Sequence, residues 1–420
     1  MIPRWIPRRI PRRIPRLLAP LLALLGAPLA GAAPLTLEEA RSIAVEQAIA
    51  VERASAARDA ARADAWSATA GALPAVTGFA SANTGAGFTP FGFERPVATQ
   101  YGVGARGSWA LLAPSDWAAA RAARRGLDGQ EAMVRWAMVE ARRDVTAAYA
   151  AALGAAGQRD AMTRAAADAA RSADAVASLS DAGIRPRADA ALARADAAAL
   201  EADRLAAEWS VDARCAELMA LLRQDVSQPC ELAPASWEPP GHGPSAHPAL
   251  EAARAALAQA GALRGQSISA LLPSVDATGT AAWYATDAGS VGAGWSAGLE
   301  LTAPVLASGA GRAGVQAADA GERIAALELE DQERALRAAL FGSEARHTAA
   351  ISALAARREA LDAAEGALDR VDEAYRSGFA DLTDLLTARR ARDTAAVALA
   401  LADTELGAAL AELEAARGVW

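Results

Sequence analysis

The chain has 420 residues, 53% of them hydrophobic and only 5% aromatic, with a formal net charge of −8. Alanine dominates, lysine is absent and all 42 basic residues are arginine, which suits long, closely packed helices and excludes a disordered chain. Two cysteines exclude a disulfide-stapled miniprotein or a zinc ribbon, and the acidic balance argues against a nucleic-acid partner.

Residues 1–16 (MIPRWIPRRIPRRIPR) are basic, residues 17–30 are apolar, and Ala30-Gly31-Ala32 are small. That order predicts a secretory signal peptide over residues 1–32, since the apolar run is short of the roughly twenty residues a bilayer needs. Without its six arginines the mature chain holds 36 basic against 50 acidic residues, a net of −14. No other apolar run reaches membrane-spanning length, so any membrane part is expected to be β-barrel.

The body reads as a doublet. A Pro-rich linker, 225–248, separates a first repeat, 33–224, from a second, 249–420. Each repeat is expected to run helix, β-hairpin, then a long helical hairpin. The first opens with a helix from about Leu37 to Thr69, broken at Leu73-Pro74; the second with a helix from about Pro248 to Ala270, broken at Leu272-Pro273. Hairpins are predicted over about 75–113 and 274–304, where side chains alternate with period two. Trp295, Ala297, Leu299 and Leu301 share one face, against Ser296, Glu300 and Thr302 on the other. Tyr101, Trp109, Trp283, Tyr284 and Trp295 lie in these strands, as interfacial girdles require. Ala113-Pro114 and Ala303-Pro304 end the return strands.

Beyond each exit the period becomes helical. Leu340, Leu354, Leu361, Leu368 and Tyr375 fall on a seven-residue grid, as do Leu385, Leu399, Leu406 and Leu413. The paired helices turn at tips near Gly183 and Gly378. A helix from about Ser115 to Asp181 would be roughly 100 Å long at about 1.5 Å per residue. The abundant alanine lets helix backbones approach on more than one side, as a closed ring of helices demands. Four strands cannot close a barrel, and open sheet edges cannot stand in lipid. If the strands are in a membrane, sister copies must complete the barrel.

The ordered set Leu35-Thr36-Leu37-Glu38-Glu39-Ala40, Leu272-Pro273-Ser274, Leu299–Gly311, Tyr375-Arg376-Ser377-Gly378 and Asp384-Leu385-Leu386, in a duplicated frame, resembles the TolC family of outer-membrane efflux channels. The resemblance implies a mainly α fold with a small membrane β part: tandem coiled-coil hairpins and four strands per chain, three chains forming a twelve-stranded barrel continuous with a periplasmic helical barrel. It implies a passive exit duct of a tripartite efflux pump or type I secretion system, not an enzyme, with no cofactor and no metal. The expected partners are two further copies of the chain, a periplasmic adaptor protein, an inner-membrane transporter of RND or ABC type, and outer-membrane lipid, with no nucleic acid. The tips, Gly183 with Ile184 and Gly378 with Phe379, are expected to meet the adaptor. Asp384, Asp189 and Tyr375 are expected at a periplasmic constriction, where carboxylate rings select cations. The family arginine that helps latch this mouth is Ala380 here, and a second aspartate is Thr387. A periplasmic adaptor would carry one helical hairpin rather than two, and a secreted coiled-coil protein has no use for lipid-suited strands.

Three strings imitate catalytic motifs. Gly294-Trp295-Ser296-Ala297-Gly298 places its serine in mid-strand with no elbow into a helix. Gly102–Gly107 and Gly309–Gly314 match a dinucleotide fingerprint without the short βαβ unit it needs. Their glycines are expected to serve close packing where barrel meets tunnel. His242 and His247 read as solvated linker residues, and His347 as a wet or paired seam position. Cys215 and Cys230 are spaced to form a disulfide in an oxidising periplasm.

Overall fold

A computed structural model describes residues 34–88, 94–227, 230–239, 246–286, 291–304 and 309–419; the leader and His242 lie outside them. The chain runs α1 (Leu37–Gln47), α2 (Ile49–Ala70), β1 (Ala75–Phe88), β2 (Glu94–Leu112), α3 (Pro114–Asp181) and α4 (Arg187–Leu221). It then repeats that order as α5 (Pro248–Ser269), β3 (Ser274–Thr286), β4 (Val291–Thr302), α6 (Ala310–Arg376) and α7 (Leu382–Ala416). Corresponding helices match in length: 22 and 22 residues for α2 and α5, 68 and 67 for α3 and α6, 35 and 35 for α4 and α7.

The first helix differs from expectation. Thr36 and Glu39 form a reciprocal capping box that starts α1. The helix then breaks at Ala48, whose ψ is 135°, and resumes at Ile49. Neither proline nor glycine sits there, so the sequence gives no stop signal. Tertiary contacts hold the break: the Arg223 guanidinium donates 3.2 Å to the Gln47 carbonyl, and Arg41 is tied into a buried ion network.

The strands form one antiparallel sheet in the order β1-β2-β3-β4, so β1 and β4 each have one neighbour among the described residues. Val103 pairs with Trp283, Trp109 with Ala277 and Ala281 with Trp295, which places these three tryptophans on one face. That face is apolar and bare: Trp295 is 83% exposed and Leu299 72%. The opposite face carries Thr77, Arg106, Ser108, Thr280, Ser296 and Glu300. Tyr284 also lies there, paired with Gly102, so it does not belong with the tryptophans as a lipid-facing girdle residue.

Pro114 occupies the first turn of α3, where its missing N–H costs nothing. At about 1.5 Å per residue α3 spans roughly 100 Å. It is the central helix, packing against α1, α2, α4, α5 and α7, while α6 packs on α5 and α7. Its core positions are mostly alanine, among them Ala118, Ala132, Ala150, Ala152, Ala165 and Ala169. The benefit is closeness. A Cβ added at Gly154 would collide with the Thr404 hydroxyl, and one at Gly407 would stand 2.5 Å from Ala150 Cβ. The grid leucines Leu385, Leu406 and Leu413 are buried.

One expectation about hydropathy is corrected. Among the described residues one helix, Leu382–Arg417, has a window of mean hydropathy 1.4 and is long enough to cross a membrane. Its apolar composition serves a different purpose, because it packs along both α3 and α6. Its buried positions, among them Ala402, Leu406, Ala409, Leu410 and Leu413, are mostly small and apolar.

Large apolar side chains remain bare on the helical body. Phe341 and Leu327 are exposed on α6, which packs on α5 and α7; Trp66 and Trp209 are exposed on α2 and α4, which pack on α3.

Candidate functional site

The two helical hairpins turn in the same way. At the end of α3, Ile184 N–H donates 2.9 Å to the Leu179 carbonyl and Gly183 N–H donates 3.0 Å to Ser180. At the end of α6, Phe379 N–H donates 2.8 Å to Ala374 and Gly378 N–H donates 3.1 Å to Tyr375. Both are Schellman caps, which need a left-handed residue after the C-cap. Gly183 and Gly378 supply it, with φ of +77° and +81°. In such caps the following apolar residue usually packs back on its own helix. Here Ile184 is 67% exposed and Phe379 90% exposed.

The tips stand side by side. Ala173 and Val176 of α3, Ala190 and Ala193 of α4, and Leu382 and Leu386 of α7 share one apolar cluster, with Tyr375 against it. Asp189 and Asp384 occupy equivalent positions, third in α4 and α7, where the positive helix end favours a carboxylate. Asp384 is exposed and closes a capping box: Asp381 N–H donates 3.2 Å to its carboxylate, and its own N–H donates 2.8 Å to Asp381. The Tyr375 hydroxyl is buried without a hydrogen-bond partner, while the Arg185 guanidinium stacks 4.6 Å from its ring centre. Within the chain, therefore, Tyr375 is engaged by Arg185 rather than bonded to Asp189.

Above this end lies a set of ion pairs that sequence reading missed. Arg390 of α7 donates 2.6 Å to Asp196 of α4, and Arg392 donates 2.9 Å to Asp168 of α3. Asp393 is buried beside Arg392 at 2.8 Å; burial raises its carboxyl pKa, and the neighbouring arginine only partly opposes that. These pairs lie roughly two helical turns beyond Asp384. They strap α7 to both helices of the other hairpin.

A second clamp sits midway along the helical body. Leu35 N–H donates 2.8 Å to the Glu231 carbonyl, and Ala233 N–H donates 2.9 Å to the Leu35 carbonyl, joining the start of α1's lead-in to the linker. The buried Tyr149 hydroxyl lies 2.8 Å from the Leu35 carbonyl and 2.7 Å from that of Ala233. Arg41 donates 2.7 Å to Glu414, 2.6 Å to Glu38 and 2.9 Å to the Thr146 hydroxyl. The Leu35–Ala40 string thus does structural work at this level. Cys215 and Cys230 are joined as a disulfide here, with Cα atoms 5.8 Å apart.

His247 is not a solvated linker residue. It is buried; its Nδ1 accepts from Ala249 N–H and caps α5, and its Nε2 lies 3.1 Å from the Ala415 carbonyl. Burial lowers its pKa, which keeps the ring neutral and able to accept at Nδ1. His347 is buried, and its Nε2 has no partner. Ser296 faces Thr280 in mid-ladder, and no described group of three metal-capable side chains gathers anywhere. Of the fingerprint-like glycines, Gly104 and Gly311 serve close approach, to Ala282 and Leu271; Gly314 faces open space.

The model of the outer membrane efflux protein family matches residues 40–223 and again 245–419. Among solved structures, the chain is similar to the outer-membrane channel OprN, with 22% identity and a TM-score of 0.78 over 91% of this chain and 90% of that one. It is similar to the CmeC outer membrane channel of Campylobacter jejuni, with 17% identity and a TM-score of 0.82 over 91% and 85%. For the outer membrane protein VceC of Vibrio cholerae the values are 18% and 0.80, over 91% and 96%. No curated protein matches the sequence.

Proposed function

We infer the working of this chain from one premise: it belongs to the outer membrane efflux protein family. Its function is that of an outer-membrane channel, the exit duct of an efflux pump, with a long helical extension on the periplasmic side. The family's members are channels rather than enzymes. Beyond that, three copies close a twelve-stranded barrel above a helical tunnel. The observation that carries this is the four-stranded sheet whose outer strands each lack a second neighbour among the described residues, with one bare apolar face. Such a sheet is stable in lipid only when its edges are paired. The exposed Phe341 and Leu327 on α6, and Trp66 and Trp209 on α2 and α4, give the helical bodies apolar surface to bury against one another. Native mass measurement in detergent should give three chains per particle; a stable water-soluble monomer would refute closure.

The tips form the contact with a periplasmic adaptor that links the duct to an inner-membrane transporter. Ile184 and Phe379, left bare where such residues usually fold back, support this reading. A photocrosslinker at position 379 should capture the adaptor, and one at exposed Trp209 should not.

The three copies of Asp384, with Asp189 nearby, line the mouth and favour cations. Arg390–Asp196 and Arg392–Asp168 supply the ties that Ala380 cannot. Single-channel recording of the parent should show cation preference that weakens in Asp384→Ala; anion preference in the parent would overturn the assignment.

A further inference from the structure

The polar face of the sheet is not uniformly polar. Asp276 on β3 stands directly opposite Glu300 on β4 in the ladder, at the end of the sheet nearest the helices. Like charges placed directly opposite one another oppose pairing, and no hydrogen bond or ion pair to either carboxylate is found among the described residues. Four residues further along β3, Thr280 pairs with Arg106 of β2. Four residues at about 3.3 Å each put roughly 13 Å between the carboxylates and the guanidinium along the strand. Arg106 is exposed, and its guanidinium carbon lies 5.6 Å from the centre of the Phe79 ring. Phe79 pairs with Gly104 on the same face. The ring therefore holds the arginine by its quadrupole, without neutralising it. Among the described side chains of the sheet these three are the only charges, and all three are on one face. Beside them Gly294 and Gly298 leave open space.

We propose that the barrel lumen carries two belts of opposite charge in series, Asp276 with Glu300 at the inner end and Arg106 nearer the outside, and that they make ion flow through the barrel direction-dependent. This rests on the barrel reading above, in which the polar face turns inward and each charge recurs three times. Twelve strands spaced about 4.8 Å and tilted about 40° give a circumference near 75 Å, hence a diameter of about 24 Å. Long side chains reach part of the way across. At 0.1 M salt the Debye length is about 10 Å, so each belt's field reaches the axis; at 1 M it is about 3 Å and does not. A negative belt admits cations and a positive belt admits anions. When the inner side is positive, cations enter through the carboxylates while anions enter through the arginines, and both accumulate between the belts. With the opposite polarity both are depleted there. Permeants bearing both charges gain attraction at two levels.

The test is the current–voltage curve of the purified full-length protein in a planar bilayer, with potassium chloride as the probe. At 0.1 M the parent should pass more current with the periplasmic side positive, and the asymmetry should vanish at 1 M. Arg106→Gln should bring the current ratio at equal and opposite voltages markedly closer to one, with trimer mass unchanged. Asp276→Asn combined with Glu300→Gln should do the same by removing the other belt. Arg106→Glu, which leaves a single sign, should also give a more symmetric curve but with stronger cation preference. Channels whose asymmetry is the same in the parent, Arg106→Gln and Arg106→Glu would overturn the belts while leaving the barrel intact. Absence of any channel from well-folded trimers would overturn the barrel and the belts together.

Discussion

Removing Arg41 tests how the two repeats are held together. Arg41 and Glu414 are 373 positions apart in sequence, yet their side chains are only 6% and 3% exposed and meet at 2.7 Å. Arg41→Ala would leave Glu414 buried with Arg142 as its remaining cation, 3.5 Å away. Breaking a buried pair by removing one partner costs about 3–5 kcal/mol, and the remaining arginine places this case near 3. Unfolding entropy is about 2.1 cal/mol/K per residue, so roughly 380 residues unfolding together contribute about 0.8 kcal/mol/K. The expected fall in melting midpoint is therefore about 4 °C. Circular dichroism at 222 nm in detergent, at one fixed scan rate, would measure it. Arg41→Met combined with Glu414→Leu removes both charges and should recover most of the loss. A double variant as unstable as Arg41→Ala would refute the reasoning, because the cost would then come from lost packing rather than from a stranded carboxylate.

Reducing the Cys215–Cys230 bridge, or replacing both residues by alanine, should lower stability by about 3 kcal/mol, the chain-entropy value for a loop of fifteen residues. Proteolysis should then begin near the linker. His247 has a depressed pKa in the folded chain, so below the ordinary histidine value of about 6.5 the unfolded chain binds more protons than the folded one. Its contribution is present above that value and is lost as the pH falls towards the folded pKa. The protection of the Ala249 amide, its exchange compared with the intrinsic rate at each pH, should fall as the pH drops from about 7.5 to about 5.5 in the parent and change less in His247→Asn, which keeps a capping acceptor. Arg390→Ala combined with Arg392→Ala should release α7 from α3 and α4 and raise single-channel conductance severalfold; an unchanged conductance would remove these pairs from the closing mechanism.

Much of the architecture was legible because local rules agreed with it. Period two gave way to helical spacing at Ala113-Pro114 and Ala303-Pro304, and glycine marked both tips. What escaped was whatever depended on distant partners. Ala48 breaks a helix with no breaker in sight, because Arg223 and Arg41 hold its flanks from elsewhere in the fold. Arg390 and Arg392 look like solvated charges on an arginine-rich helix until Asp196 and Asp168 arrive from the other hairpin. His247 sat in a proline-rich stretch, and only the end of α7 makes it a buried cap. Tyr284 was grouped with the girdle because it lies in a strand, although period-two alternation already sets it on the face opposite its neighbour Trp283, as the ladder does. The reciprocal cap of Asp381 and Asp384 could have been found, since an acidic side chain three positions after an N-cap aspartate is a local signal.

The near-identity of the two hairpins, 68 and 35 residues against 67 and 35, makes reach a joint property of both repeats. Excising two heptads from each arm of one hairpin alone would stagger neighbouring turns by about 21 Å. Any rim assembled from them would become a crown of alternating teeth. Shortening both together keeps that rim flush, so such a duct can be fitted to a thinner or thicker gap between membranes only by editing its halves in step.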